Sequence, residues 1–181
     1  MKKFIGIDQS YTSSGYCVID ESGSVIELGT VKTSSKDNGD IYNRSYVVAT
    51  ALAELVEKYN PEYFGIEGLA FSMMGNATRD LAGLQFVIIT QFRHNTKYGN
   101  NMVIVSPNLL KKFATGSGKA KKQDMVNALP KDVLMMIEEK KYKKSTGLYD
   151  VADAYFIAMY TLEEYKQSLT SPNNQHDECD I

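Results

Sequence analysis

Three short apolar segments at the start of the chain, joined by turns of only a few residues, constrain its fold more than any other feature. The segments lie at residues 3–7, 15–19 and 25–32 of the 181-residue sequence, and polar residues such as Glu21-Ser22-Gly23-Ser24 separate them. A parallel connection needs a crossover of roughly a dozen residues or more, so connections this short permit only antiparallel pairing. The chain is therefore predicted to begin with a three-stranded antiparallel meander.

Helical and extended patterns alternate along the rest of the chain. Asp40 is a candidate N-cap for the first long helix, and Pro61 follows the end of that helix. The predicted elements after the meander are, in order, a loop at 33–39, a helix at 41–59, a strand at 63–66, a helix at about 76–97, a strand at 102–105, a helix from Ser106-Pro107 that Thr115-Gly116-Ser117-Gly118 interrupts, a basic helix from near Ala120 towards Pro130, and a helix at 148–165.

This order of elements predicts a single α/β domain over residues 1–167. Its sheet is expected to be mixed and five-stranded, with three antiparallel strands followed by two parallel ones, and helices are expected to flank it. The polar segment 168–181 is predicted to be a disordered tail.

The composition excludes several classes of protein. A hydrophobic fraction of 43% and a charged fraction of 23% are ordinary for a globular chain. No apolar run approaches the roughly 20 residues that span a bilayer, and the first residues turn polar too soon for a signal peptide. The two cysteines, Cys17 and Cys179, do not form a disulfide framework by their spacing, which favours a cytoplasmic protein.

Four carboxylates stand within apolar sequence. Asp8 ends the first predicted strand, and Glu67 ends the strand at 63–66. Asp150 and Asp153 lie three residues apart on the otherwise apolar last helix, so both project from one face. Taken singly, each acid has an ordinary explanation, such as a turn former, a loop acid or a helix N-cap. An acid in an apolar setting is nevertheless costly unless it binds something.

The predicted fold brings these four acids together. The ends of the first and fourth strands lie side by side, and the start of the last helix can lie over them. Converging carboxylates repel unless divalent cations lie between them, and oxygen-only ligands select hard ions such as Mg²⁺ or Mn²⁺. Two such ions roughly 4 Å apart can clamp the attacking and leaving oxygens of a phosphodiester. His94 and His176 have no partner at zinc spacing, so a zinc site is poorly supported.

The distribution of charge favours a nucleic-acid partner although the whole chain carries a net charge of -2. Residues 111–144 contain ten lysines and four acids, which gives this stretch a net charge of +6. A local basic face can bind phosphates even on a slightly acidic protein. A solvated lysine face is the commoner meaning of such a run.

Short motifs occur in a fixed order along the chain. Gly6-Ile7-Asp8-Gln9-Ser10 is followed by Gly65-Ile66-Glu67, then by Thr115-Gly116-Ser117-Gly118 between Lys111 and Lys122, and finally by Asp150-Val151-Ala152-Asp153-Ala154. Each motif is weak alone, but the ordered set resembles the RuvC family of Holliday junction resolvases over residues 4 to about 160, and phage-encoded members more than bacterial ones. Gln9-Ser10 depart from the Pro-Gly that is frequent in this family, and the tract 135–144 enlarges the link before the last helix.

The resemblance implies a ribonuclease H-like fold and a magnesium-dependent endonuclease that cuts four-way junctions and other branched DNA. Mn²⁺ is expected to substitute, with two ions in each site. The implied metal ligands and catalytic acids are Asp8, Glu67, Asp150 and Asp153, and the implied catalytic lysines near the scissile phosphate are Lys111 and Lys122. The residues expected to bind DNA are Phe71, Lys111, Lys119, Lys121 and Lys122.

Phe71 is the nearest candidate for an aromatic side chain that stacks on a base of the junction. Met73 and Met74 are its possible substitutes, because the match to the family slips by about a residue here. A role for Phe71 in the core or in a dimer contact is an equally good explanation.

Other functions are open at this point. The opening Gly6-Ile7-Asp8 also occurs in sugar kinases and actin-like ATPases, but this chain lacks their later glycine-rich loops and is too short for two lobes. Ribonuclease H shares the four-carboxylate arrangement and acts on RNA–DNA hybrids; the lysine-bearing Thr-Gly-Ser-Gly segment favours a resolvase. A non-catalytic DNA-binding module is a third alternative, and the presence of all four acids argues against it.

A homodimer is expected because a four-way junction presents two symmetric scissile phosphates. The helix at 76–97 is the predicted interface, with both carboxylate clusters on the same side of the dimer. The alternative is a helix buried on both sides within one chain. The inward face of this helix is predicted to consist of Leu81, Leu84, Val87, Ile88 and Phe92, and its further apolar surface of Met74, Phe86, Ile89 and Phe92-Arg93.

Overall fold

A mixed five-stranded sheet forms the centre of the protein in the computed structural model, which describes residues 1–69, 75–95 and 101–170. The pairs β1–β2 and β2–β3 are antiparallel, and the pairs β1–β4 and β4–β5 are parallel, which confirms the predicted sheet. The strands are β1 (Lys3–Asp8), β2 (Ser13–Asp20), β3 (Val25–Lys32), β4 (Tyr63–Glu67) and β5 (Met102–Val105), and they lie side by side in the order β3-β2-β1-β4-β5.

The described part of the chain contains seven helices. The second begins where the sequence predicts, because the side chain of Asp40 accepts a hydrogen bond from the backbone N–H of Asn43. It ends at Asn60, which adopts the left-handed conformation with φ 49. The helices are α1 (Ser35–Asn38), α2 (Ile41–Tyr59), α3 (Asn76–Asn95), α4 (Pro107–Thr115), α5 (Lys122–Asn127), α6 (Lys131–Glu139) and α7 (Leu148–Thr170).

Three predictions of secondary structure are wrong. Helix α6 forms directly after Pro130, in a stretch that the sequence predicts to be a link before the last helix. The segment 33–39 is not wholly a loop, because α1 forms within it. The Ser34 side chain accepts a hydrogen bond from the backbone N–H of Asp37, which stabilises this single turn. The last helix continues to Thr170 and therefore enters the segment predicted as a tail. Residues 171–181 lie outside the described residues, so their disorder stays a prediction.

Two cores lie on opposite faces of the sheet, as the alternation of side chains along a strand requires. In β1, Phe4 packs into the core formed with α4, α5, α6 and α7, whereas Ile5 and Ile7 pack into the core formed with α2 and α3. The first core is closed mainly by α7 and the second by α2. The sheet therefore separates α7 from the pair of helices α2 and α3.

Helix α3 packs on the second core with a narrower stripe than the sequence predicted. Leu84, Ile88 and Phe92 are fully buried, and Leu81 is partly buried against the same core. The prediction that Val87 faces inward is wrong, since 36% of its surface is exposed. Val87 instead lines a groove between α3 and the start of α2. Leu84, Ile88 and Phe92 form the stripe of the helix that faces the core, and Val87 lies outside that stripe.

Three glycines on adjacent strands allow α7 to lie directly on the sheet. A Cβ atom at Gly6 of β1 would lie closer than 3.0 Å to the backbone of Ala154 and Ala158. A Cβ atom at Gly15 of β2 would meet the backbone of Asp150, and one at Gly65 of β4 would meet the side chain of Thr161. The absence of side chains at these glycines therefore sets the distance between α7 and the strands.

Among the helices of the described residues, none combines the length and the apolar character that crossing a bilayer requires. The cytoplasmic location expected from the sequence stays a prediction.

The substitution Gly6→Ala is expected to lower the free energy of unfolding by about 3 kcal/mol, the upper part of the range for overpacking, because the obstacle is backbone that cannot rotate away. Gly83→Ala is the matched control. Gly83 is an exposed residue of α3 with open space around its Cβ position, so alanine there is expected to be neutral or to stabilise by up to about 1 kcal/mol. Urea unfolding measures both, and equal effects of the two substitutions would contradict this account of how α7 packs.

Candidate active site

Asp8 and Glu67 lie side by side at the ends of two neighbouring strands. β1 and β4 are parallel, with Ile7 opposite Ile66, so the next residue of each strand is a carboxylate. Strand alternation places both acids on the face of the sheet that α7 covers, two residues beyond the glycines of their strands. The start of α7 therefore lies over both carboxylates.

Helix α7 supplies the other two acids. The backbone of Asp150 lies against Gly15, which is the pairing partner of Asp8 in the sheet. Asp153 follows one turn later on the same face of the helix. The close contact between helix and sheet thus brings Asp150 and Asp153 to the strand ends that carry Asp8 and Glu67.

Neighbouring carboxylates raise the pKa values of Asp8 and Asp153. Burial raises the pKa of Asp8, and the charges of Asp153, Glu67 and Asp150 raise it further. Burial also raises the pKa of Asp153, to about 7, and Glu67 is the neighbouring charge with the largest effect. Like charges held together in a poorly solvated place favour the binding of protons or cations.

Two lysines act on the same cluster from α4 and α5. Lys111 is half-buried on α4, and Lys122 is exposed at the first residue of α5. Burial raises the pKa of Glu67, whereas the charges of Lys111 and Lys122 lower it. The same two lysines oppose the rise in pKa at Asp153. The structure therefore brings both lysines to Glu67 and Asp153, and their catalytic roles stay predictions.

The remaining predicted DNA contacts lie beside this cluster or outside the described residues. Lys119 and Lys121 are exposed in the connection between α4 and α5. Phe71 lies outside the described residues, and so do Met73 and Met74. Their contacts with DNA stay predictions.

The donor set fits a hard divalent cation by its chemistry. Asp8, Glu67, Asp150 and Asp153 offer carboxylate oxygens, the ligands that Mg²⁺ and Mn²⁺ prefer. A bound cation would relieve the repulsion that contributes to the raised pKa values of Asp8 and Asp153. Within residues 1–69, 75–95 and 101–170, no group of three or more Asp, Glu, His or Cys side chains converges in ligating geometry.

Two glutamines that the sequence analysis did not identify as site residues hold the backbone of Glu67. Nε2 of Gln9 donates to the carbonyl oxygen of Glu67 at 3.0 Å, and Nε2 of Gln85 donates to the same oxygen at 2.9 Å. The polar Gln9 directly after Asp8 is a visible signal in the sequence. Nothing local distinguishes Gln85, because its partner lies on another element.

The sheet order and the helices that flank the sheet are those of a ribonuclease H-like fold. This chain is similar to a solved structure of Thermus thermophilus RuvC, with a TM-score of 0.68 and 18% sequence identity. The structural alignment covers 93% of this chain and 96% of the RuvC chain. RuvC of the same organism in complex with a Holliday junction substrate gives a TM-score of 0.69 at 16% identity, over 94% of this chain and 97% of its own. The yeast mitochondrial Holliday junction resolvase Ydc2 gives a TM-score of 0.61 at 17% identity, over 93% and 83% of the two chains.

Sequence similarity identifies the family. The family model for crossover junction endodeoxyribonuclease RuvC matches residues 4–161, so this chain belongs to the RuvC family. A crossover junction endodeoxyribonuclease RuvC from Orientia tsutsugamushi (strain Ikeda) is 30% identical over 132 residues, which cover 69% of this chain and 79% of the relative. The protein of the same name from Rickettsia typhi is 28% identical over 125 residues, with 67% and 76% covered. The predicted family is confirmed, and the phage origin stays a prediction.

The metal-free protein is expected to be less stable at about pH 8 than at about pH 5. Asp153 has a pKa of about 7 in the folded protein, against an ordinary value of 3.8, so the folded protein holds this proton more tightly than the unfolded chain does. The resulting stabilisation is complete below the ordinary pKa and is lost as the pH rises through the folded pKa. Urea unfolding in the presence of a chelator measures this slope.

Asp153→Asn is expected to reduce the pH dependence, since it removes one of the carboxyl groups with a raised pKa. The raised pKa values of Asp8 and Glu67 account for the slope that remains. Asp132→Asn, at an exposed aspartate of α6, is the control and should leave the slope unchanged. Parallel curves for the wild type and Asp153→Asn would show that the ionisation of Asp153 does not govern stability in this range.

Proposed function

We propose that this protein is a divalent-metal-dependent endonuclease that cleaves Holliday junctions. The observation that carries the proposal is the gathering of Asp8, Glu67, Asp150 and Asp153 at one end of the sheet in a member of the RuvC family. The Thermus thermophilus RuvC that was solved with a Holliday junction substrate has the same fold over 94% of this chain, which supports this class of substrate.

The four carboxylates form the acidic centre of the proposed reaction. They would hold two Mg²⁺ or Mn²⁺ ions, which when bound supply a clamp for the attacking and leaving oxygens of a phosphodiester. Asp8 and Glu67 are held by strands, and Asp150 and Asp153 by a helix, and rigid elements position ligands more precisely than loops do. Because the pKa of Asp153 is about 7, release of its proton and binding of a cation are coupled near neutral pH.

The lysines supply positive charge for the substrate. Lys111 and Lys122 lie beside the acids, where an ammonium group stabilises negative charge that develops on the transferring phosphate. Lys111 is half-buried, so solvent and salt screen its charge less than they would screen a fully exposed lysine. Lys119 and Lys121 are exposed, and contacts with the phosphate backbone are their proposed role.

Asp8→Asn and Asp153→Asn are expected to abolish junction cleavage and to leave junction binding largely intact. Loss of a carboxylate weakens the binding of the ion, whereas the phosphate contacts of the lysines persist. Incubation of a synthetic four-way junction, a Y-fork, an RNA–DNA hybrid and a linear duplex with Mg²⁺, side by side, measures cleavage and its selectivity. Asp132→Asn is the control at an exposed site.

Wild-type cleavage rates in Asp8→Asn or Asp153→Asn would overturn the assignment of the acids. Preferential cleavage of the hybrid by the wild-type protein would instead identify a ribonuclease H activity.

Lys111→Ala and Lys122→Ala are expected to slow cleavage more than they weaken binding, because these charges act on the reacting phosphate. Lys112→Ala is the matched control for the first, since Lys112 is the adjacent and exposed residue of α4. Rates with saturating enzyme, together with junction binding at several salt concentrations, separate the two effects. Substitution of the lysines of the 140–144 tract should mainly weaken binding and reduce its salt dependence. Equal behaviour of the two groups would contradict this division of roles.

We also propose that the protein acts as a homodimer through α3. Phe86 of this helix is 75% exposed. Val87 of the same helix lines a groove together with Tyr42 and Tyr46 of α2, which are 78% and 64% exposed. An apolar and aromatic surface of this kind is typical of a protein interface. The symmetry of a four-way junction also favours a two-fold pair of active sites.

Phe86→Glu is expected to shift the protein towards a monomer in light scattering at micromolar concentration, because a charge would be buried in the interface. Met135→Glu, at a similarly exposed residue of α6, is the control. A wild-type protein that is monomeric both with and without junction DNA would rule the dimer out.

A further inference from the structure

We propose that Gln9 and Gln85 are positioning residues, which fix the peptide unit that follows Glu67 and thereby couple helix α3 to the carboxylate cluster. The inference rests on the proposed function, since it assigns these glutamines a part in orienting a metal ligand. It is drawn from three hydrogen bonds that meet at the end of β4.

The peptide unit between Glu67 and Gly68 is held at both of its polar atoms. Its carbonyl oxygen accepts hydrogen bonds from Nε2 of Gln9 at 3.0 Å and from Nε2 of Gln85 at 2.9 Å. Its N–H group, which belongs to Gly68, donates to the carbonyl oxygen of Val105 at 2.7 Å. A peptide plane held at both ends cannot rotate, so the backbone from which the Glu67 side chain projects is fixed.

The side chain of Gln9 supplies a hydrogen-bond donor to β4 just beyond the last residue pair between β1 and β4. Ile7 opposite Ile66 is the last pair in the ladder between β1 and β4, so no further backbone donor of β1 follows in that register. The side-chain amide of Gln9 takes over this position. Because successive residues of an extended chain alternate, Asp8 projects towards α7, while Gln9 lies on the other face of the sheet, where α3 packs.

Gln85 connects the same carbonyl to the middle of α3. A second link lies nearby, because the Tyr11 hydroxyl donates to the backbone carbonyl of Asp80, earlier on the same helix, at 3.0 Å. The Ser45 hydroxyl of α2 in turn donates to the Tyr11 hydroxyl at 3.1 Å. The loop after Asp8 and the end of β4 are thus both tied to α3, and a displacement of this helix would move Glu67.

The local energetics favour a positioning role over a stabilising one. Gln9 is 7% exposed, and its Oε1 atom accepts no hydrogen bond from the described residues. A buried amide that leaves one polar atom unpaired contributes little net stability, because the cost of desolvating that atom offsets the hydrogen bond made by the other. Its donor group is nevertheless placed on a carbonyl adjacent to a proposed metal ligand. Groups that support a ligand in this way typically change metal affinity or activity by about 10-fold to 100-fold when they are removed.

The test uses Gln85→Met and Gln9→Leu in the full-length protein. The first keeps the approximate length of the side chain and removes the donor without adding a charge; the second removes the amide altogether. Gln167→Met is the matched control, because Gln167 donates to Glu163 on the exposed surface of α7. Three readouts apply: Mn²⁺ affinity by calorimetry, hydrogen exchange at the amide of Gly68, and the single-turnover rate of junction cleavage across Mn²⁺ concentrations.

Both variants are expected to bind Mn²⁺ about 10-fold more weakly, to exchange the Gly68 amide faster, and to recover cleavage at high Mn²⁺. Their junction affinity without metal and their thermal midpoint should stay close to those of Gln167→Met. A purely structural role predicts the opposite pattern, with a lowered midpoint and no specific change in Mn²⁺ affinity, and this would overturn the inference.

Failure of the inference can be distinguished from failure of the proposed function. Wild-type cleavage and Mn²⁺ binding combined with unchanged Mn²⁺ affinity in both glutamine variants would overturn the inference alone. A wild-type protein that neither cleaves the junction nor binds Mn²⁺ would overturn both.

Discussion

The direct seating of α7 on the sheet is the contact on which the rest of the structure depends. A helix normally packs on a sheet through a layer of side chains, which holds the two backbones about 10 Å apart. Here Gly15, Gly6 and Gly65 leave no side chain on three neighbouring strands, so the helix backbone rests on the strand backbone. This close approach, and no feature of the acids themselves, brings Asp150 and Asp153 to the strand ends.

The acids gathered in this way are electrostatically unfavourable in isolation. Burial and neighbouring carboxylates raise the pKa values of Asp8 and Asp153. Lys122 offsets this rise only in part at Asp8, and Lys122 and Lys111 do so at Asp153. Such an arrangement persists when the surrounding fold imposes it, as is usual at functional sites. The cores on both faces of the sheet supply that support, because each of the elements that carry an acid is anchored by fully buried side chains.

The two faces of the sheet contribute different groups to the site. The face under α7 carries the carboxylates and the lysines that act on them. The opposite face carries the supporting groups, because Gln9 and Gln85 donate hydrogen bonds to the carbonyl oxygen of Glu67 from that side of the sheet. Helix α3 belongs to this second face and also exposes Phe86, so the surface proposed to contact a second copy lies on the same helix that supports the acid.

The local pattern of the sequence determined most of the elements of this protein and the identity of its acids. Alternation and short turns predicted the meander, the Asp40 cap predicted the start of α2, and the apolar setting of Asp8, Glu67, Asp150 and Asp153 distinguished them from ordinary surface acids. These signals are readable because they depend on neighbours within a few positions along the chain. The errors at α1 and Val87 arose where a single side-chain cap or a small rotation of a helix decided the outcome.

Only the tertiary structure decided how far α7 lies from the sheet and which groups support the acids. The glycines of β2, β1 and β4 are far apart in sequence, and their alignment into one path follows from strand pairing. The contact of Gln85 with Glu67 likewise joins a helix to a strand end across 18 positions of the chain. Periodicity carries no information about such contacts, because they depend on how the elements are placed relative to one another in space.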